Sequence, residues 1–201
     1  MGQIRPPVAP NLPLAPREYD PGYHDRHDNT LRLYFNQVSN SLQQLLTGFN
    51  RYIVLLNTAS VTAAVANTAY PIAYDTTVAS SGITLTGSPT SRITVAVAGI
   101  YVFLASIQLD STGGTTHAHT WFRVNGVDVA NSANKIIVGS GADETIANRK
   151  LMLTLQAGDY VELVWATANT NLFLAAEAAA APIPAIPSVR LSVYYLFPDN
   201  A

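Results

Sequence analysis

The sequence predicts a mainly β protein: a C-terminal antiparallel sandwich preceded by an extended arm and one α-helix. Three observations carry this. From Tyr52 onward, Ile, Val, Thr and aromatic residues cluster in short runs separated by Gly and Asn, the pattern of half-buried strands. Six of the 12 prolines lie within the first 21 positions, which bars helix and central strand there. Between the two, residues 21–51 hold a stretch of helical periodicity.

The composition sets bounds on each part. A chain of 201 residues makes one ordinary domain plus an appendage. Hydrophobic residues make up 48% and charged residues 12%, the latter about half the usual ~25%. A surface so poor in charge points to cover by copies of the chain or by a partner. The net charge of −2 provides no basic field for nucleic acid. The absence of cysteine excludes disulfides, thiol catalysis and thiolate metal sites. The opening Met1 to Pro7 lacks the apolar run of a secretory signal, and Pro6 stands where a myristoylation motif has Ser or Thr. No targeting segment is expected. Nor is a membrane span, because the low-polarity stretch from Leu172 to Ile186 is short and interrupted by Glu177 and prolines.

Residues 1–20 are expected to run extended, partly as polyproline II. Ile4, Val8, Leu12, Leu14 and Tyr19 would be wasted in water. Two readings fit: a disordered tail, and an anchoring arm along a partner's surface, with proline lowering the entropy lost on docking.

The helix is expected to start at Asp20-Pro21, an N-cap followed by proline at the first helical position, and to run to Thr47 with Gly48 as its stop. Leu31, Phe35, Val38, Leu42, Leu45 and Phe49 recur at heptad spacing. This is a seam for self-association; an amphipathic helix packed on its own domain gives nearly the same pattern over so short a run.

From residue 52 to 201 the strand signals follow in order. Ile83 to Thr86 alternates and Gly87-Ser88-Pro89 turns. Arg92 to Val97 alternates, and Gly99 precedes the apolar run Ile100 to Leu109. Thr120 to Val124 leads through Asn125-Gly126 into Val127 to Val129, a hairpin signal. Leu151 to Leu155 breaks at Ala157-Gly158-Asp159, Tyr160 to Trp165 resumes, and Val189 to Phe197 closes the chain. The alanine tract Ala175 to Ala181 imitates helix, but Pro182, Pro184 and Pro187 argue for an extended loop.

Ala98-Gly99-Ile100-Tyr101-Val102-Phe103 is similar to the "GIYYF" strand of the C1q and tumour-necrosis-factor-like jelly rolls. Trp121 to Val129 looks like that family's hairpin, Leu153 to Val161 like its "L-x-L-x-x-GD-x-V" segment, and Ser188 to Leu196 like its closing strand. The resemblance covers about residues 70 to 201. It implies a jelly roll and a compact homotrimer whose closing strand lies near the threefold axis, making Tyr194, Tyr195 and Phe197 candidates for the interface. Core packing is the competing reading for each. A three-chain helix seam over 31–49 is consistent with that assembly.

Asn11 to Asp20 and Asn29 to Gln37 resemble the start of many tailed-bacteriophage virion proteins, with a proline-rich "P-x-x-YD" lead-in and an "LR-x-YFNQ" helix. This implies a particle-attachment module followed by a displayed domain. The expectation is a trimeric decoration or cement protein on the capsid surface, with the major capsid protein as partner. The alternative is a tail or head fibre whose jelly roll binds host surface glycan. A secreted C1q-like ligand is a third class, disfavoured by the missing signal and cysteines.

No cofactor is expected. His117 and His119 share a strand face, which suits a shared metal, but only Asp110 and Asp128 offer a third ligand and nothing forces them. His24 and Asp28 fall on the seam extended backwards, with His27 beside them; a solvated helix start is the simpler reading. No Gly-x-Ser-x-Gly elbow, Walker loop or dinucleotide fingerprint occurs. Asp143-Glu144 lies in a Gly/Ser/Ala loop without an apolar pocket to tune it. An enzyme is not expected. Trp121 and Trp165 are expected in the core rather than as sugar platforms.

Overall fold

Asp20 starts the helix as its place before Pro21 requires. Its Oδ1 accepts from the Gly22 amide at 2.9 Å, its carbonyl accepts from the Tyr23 amide at 3.0 Å, and its Oδ2 meets Arg26 Nη2 at 3.2 Å. Helix α1 spans Pro21–Gly48. The computed structural model describes residues 8–12, 14, 17–48, 51–139 and 144–198, with the side chains of 44–48 outside that set. Residues 1–50 form one unit of the chain and 51–199 a second.

The second unit is built of strands throughout. In chain order they are β1 (Tyr52–Asn57), β2 (Val61–Thr62), β3 (Tyr70–Pro71), β4 (Thr76–Ser81), β5 (Ile83–Thr86), β6 (Arg92–Val95) and β7 (Gly99–Ser111). There follow β8 (Thr116–Val124), β9 (Val127–Asp128), β10 (Asn134–Val138), β11 (Thr145–Leu155), β12 (Tyr160–Thr167), β13 (Leu172–Leu174) and β14 (Val189–Phe197).

The first sheet runs β2-β13-β7-β14-β1-β4, with β11 on the other edge of β7. The second runs β10-β8-β12-β6-β5, with β3 on β12 and β9 on β8. The chain changes sheet again and again: β1 in the first, β5 in the second, β7 in the first, β8 in the second, β11 in the first, β12 in the second, β14 in the first. Every pairing is antiparallel. This is the jelly-roll winding, as expected of a mainly β chain with one helix ahead of an antiparallel sandwich.

Alternation along each strand fills the space between the sheets. Strand β7 turns Tyr101, Phe103, Ala105, Ile107 and Leu109 inward; β14 adds Val189, Leu191, Val193 and Tyr195; β8 and β12 answer with Phe122, Leu163 and Trp165. Phe103 meets Phe122 edge to face, with ring centroids 5.8 Å apart. Two glycines are dictated by this geometry. A Cβ on Gly99 would sit 2.5 Å from the Tyr195 ring and 2.8 Å from the Phe197 carbonyl oxygen. Asn125 and Gly126, with φ of 50° and 83°, make the tight β8–β9 hairpin turn.

Several elements differ from expectation. Strand β11 begins six residues earlier than its apolar run, because Ile146, Asn148 and Lys150 face out while Ala147 and the Arg149 side chain face in. Strands β4, β10 and β13 carried no clear signal: β4 is rich in Thr and Ser, β10 starts Asn134-Lys135, and β13 opens into the alanine tract. That tract is extended, held by the bridges Glu177–Ile186 and Ala180–Ile183.

Phe103→Ala is expected to cost about 3–5 kcal/mol, read as a lowered urea midpoint at unchanged slope. A loss under about 1 kcal/mol would mean that the Phe103–Phe122 pair does not hold the sheets together.

Candidate assembly surfaces

The anchoring candidates Val8, Leu12, Leu14 and Tyr19 are all exposed, Leu14 at 94%; Ile4 lies outside the described residues. Along α1, Leu31 and Val38 are half-buried while Phe35 and Leu42 are exposed. The Leu45 side chain and Phe49 lie outside the described residues. At the helix start, His24 packs against Tyr19 and Tyr23, with ring centroids 5.5 Å apart in each case, and His27 Nδ1 lies 3.1 Å from Asp28 Oδ1. These side chains contact one another within the first two turns.

The closing strand splits the three aromatic candidates by its alternation. Tyr195 turns into the sandwich, is 8% exposed and packs on Tyr101 at 5.3 Å, so its ring is taken up by the core of its own chain. Tyr194 (41% exposed) and Phe197 (46% exposed) remain available. Tyr194 sits on the outer face of the first sheet, level with Tyr52 on β1 and Val102 on β7, and Val102 is level with Met152 on β11. The next level holds Val54, Ser192, Leu104 and Lys150; the one after holds Leu56, Arg190, Ser106 and Asn148. Leu104, Met152 and Ile146 are exposed on this face. It is an apolar surface with a polar centre, on which Leu104 and Tyr194 stay exposed. Asn148 and Lys150 were missed by sequence reasoning, which began the strand at Leu151; the run Asn148-Arg149-Lys150 carries no alternation to signal it.

The second sheet presents different chemistry. His117 and His119 face outward from β8 with ring centroids 5.1 Å apart. Across the strand from His119 stands Lys135. Burial, then His117, then Lys135 push the His119 pKa below its usual value. The third-ligand candidates are elsewhere: Asp110 lies on β7 in the first sheet, and Asp128 accepts from Trp121 Nε1 at 2.8 Å and Arg123 Nε at 2.9 Å. These two donors hold the Asp128 carboxyl below its usual range. No group of three His, Asp or Glu side chains able to hold a metal occurs among the described residues.

Trp165 is buried as expected. Trp121 is not: it lies on the outer face, partly exposed, its indole fixed by Asp128. Period-two alternation with Phe122 inward forces it out. Of the carboxylate pair, Asp143 lies outside the described residues; Glu144 has its pKa raised by burial, then by Glu177 and Asp110. No helix among the described residues is long and apolar enough to cross a membrane.

No protein-family model matches the chain, and no curated protein sequence matches it. Among solved structures it is similar to murine APRIL, in crystals at pH 8.5 and at pH 8.0. The first shows 14% identity and a TM-score of 0.46, covering 73% of this chain and 98% of that chain. The second shows 14% identity and a TM-score of 0.45, covering 72% and 98%.

His119 gives the sandwich a pH dependence. A histidine whose folded pKa is depressed protonates more readily when unfolded, so stability is full above the unfolded value of ~6.5 and falls as pH drops below it. The urea midpoint should therefore decline from pH 8 to pH 5.5, and His119→Gln should flatten part of that decline. An unchanged slope in the variant would remove His119 as its source.

Proposed function

We propose that the chain is a structural virion protein: a homotrimeric capsid decoration or cement protein on the capsid surface. Residues 1–20 anchor it to the major capsid protein, and the jelly roll is displayed. The observation that carries self-association is the open outer face of the first sheet, where Tyr194, Leu104 and Met152 are exposed around the closing strand. An apolar sheet face left bare is the kind of surface that a partner covers. The exposed Phe35 and Leu42 on α1 support a stalk seam. The exposed Val8, Leu12 and Leu14 support docking of the arm. The virion setting rests on the likeness of residues 11–37 to tailed-phage virion proteins. The role is structural rather than enzymatic. Three arms on one trimer raise the effective concentration of each without a strong single contact.

A second reading, a fibre whose jelly roll binds host surface glycan, is favoured by Trp121, whose outward indole is held by Asp128 beside Arg123. An aromatic face flanked by fixed polar groups suits a sugar ring.

Deleting residues 1–20 should leave the trimer folded but unable to decorate particles; decoration at the wild-type level would sink the arm model. Leu104→Asp with Tyr194→Asp should convert trimer to monomer in sedimentation velocity, and a trimer that survives both would move the interface elsewhere. Quantitative mass spectrometry of purified virions separates the two readings. Hundreds of copies indicate the capsid lattice, whereas a few dozen or fewer, with polysaccharide binding lost in Trp121→Ala, indicate the fibre. Absence from the particle defeats both.

A further inference from the structure

Strand β7 is hydrogen-bonded along both edges, so its outward side chains stand between those of β11 and β14. Leu104 and Ser106 there are flanked by Lys150 and Asn148 on β11 and by Ser192 and Arg190 on β14. These six residues, with Ala105 and Arg149, line a shallow depression of about 320 Å³. Of the six, five carry N–H or O–H donors and two are cations; Arg149 borders the depression as a third cation, and no carboxylate lines it. None of the five donor side chains has a hydrogen-bond or ion-pair partner among the described residues.

Two other cations of this domain are held by carboxylates. Arg123 is matched to Asp128 at 2.9 Å, and Arg92 to Glu162 at 3.6 Å with its guanidinium 4.5 Å over the Tyr160 ring. Arg149, next in sequence to Lys150, turns into the sandwich and donates to the Ser132 carbonyl. Lys150 and Arg190 are left facing one depression from opposite sides of β7, their backbones about 12 Å apart across two strand spacings and one two-residue step. The acidic groups of the same face do not reach them. Asp110 lies four residues further along β7 than Ser106, roughly 13 Å away.

We propose that this depression is a binding site for an oxyanion group: carboxylate, sulfate or phosphate. Arg190 supplies a planar fork of donors and Lys150 a point charge. Ser106, Ser192 and Asn148 donate the remaining hydrogen bonds, and Leu104 forms an apolar wall. The site belongs to the single chain and stands independently of self-association. Where copies meet through this face, the bound anion supplies the counter-charge that burial of two unmatched cations requires.

The test is thermal unfolding of the full chain in sodium sulfate, phosphate or acetate against sodium chloride at matched ionic strength, which removes the screening effect common to all salts. At tenfold excess over Kd, an oxyanion should raise Tm by roughly 3–6 °C more than chloride. Lys150→Gln with Arg190→Gln should abolish the difference, while Lys135→Gln on the second sheet should keep it. Amide chemical shifts at Ser106, Lys150 and Arg190 should move with added sulfate and saturate. Which oxyanion acts most strongly separates a tetrahedral from a planar ligand. Equal Tm in all four salts, or a sulfate response that survives the double substitution, would overturn the site. Sedimentation in the same buffers reads self-association separately: a monomer that binds sulfate retains this site and removes the trimer.

Discussion

Strand β7 carries the constraint on which the rest of the sandwich depends. Its 13 residues are hydrogen-bonded to β11 on one edge and to β14 and β13 on the other, so the strand cannot slide without breaking both ladders. Tyr101, Phe103, Ile107 and Leu109 are fully buried beneath it. A shift by one residue would move all four to the open face. The close fit of Gly99 against the Tyr195 ring and the Phe197 carbonyl pins the same register at the strand's start, where any larger residue would force β14 away.

The outward set follows from that register and was not chosen separately. With Phe103 and Ala105 inward, Leu104 and Ser106 must face out, and pairing brings Lys150, Asn148, Arg190 and Ser192 alongside them. The two outer faces then differ in how they are covered. Around β12 the chain closes over itself: β3 pairs with it, the Ile72 amide donates to the Leu163 carbonyl, and Ser91 Oγ donates to Glu162 at 2.7 Å. Val164 on that outer face is fully buried, level with Trp121 on β8 and Pro71 on β3. On the first sheet Gln108 Nε2 of β7 donates to Glu177 Oε1 at 3.1 Å, while Leu104 and Tyr194 stay exposed. With charged residues at only 12% of the chain, the few charges on this face weigh heavily in its local field.

Much of the fold was legible because alternation and turn chemistry are local. Val189 to Phe197 reads as a strand from its period alone, and Asn125-Gly126 marks a hairpin because few other pairs tolerate two positive φ values. The N-cap was equally plain, since Asp20 before Pro21 leaves the first amides only one nearby acceptor. Strand β11 was half legible. Asn148, Arg149 and Lys150 look like a loop until the pairing with β7 supplies both the ladder and a place for the Arg149 side chain. Strand β13 and the alanine tract were opaque, because three-residue strands are made by their neighbours rather than by propensity.

By itself, then, the sequence determined the helix start at Asp20-Pro21, the antiparallel class, and which residue pairs share a strand face. These follow from proline's missing donor, the two periodicities and the glycine turns, all of which act within a few residues. Only the tertiary structure decided which face is which. Tyr194 and Tyr195 are neighbours with the same chemistry, yet one is 41% exposed and the other 8%. Trp121 was sent outward because Phe122 met Phe103 across the core. Lys150 and Arg190, 40 positions apart, became neighbours of one depression because both strands pair with β7. Burial and pairing over such separations depend on register between distant segments, and no local pattern encodes that.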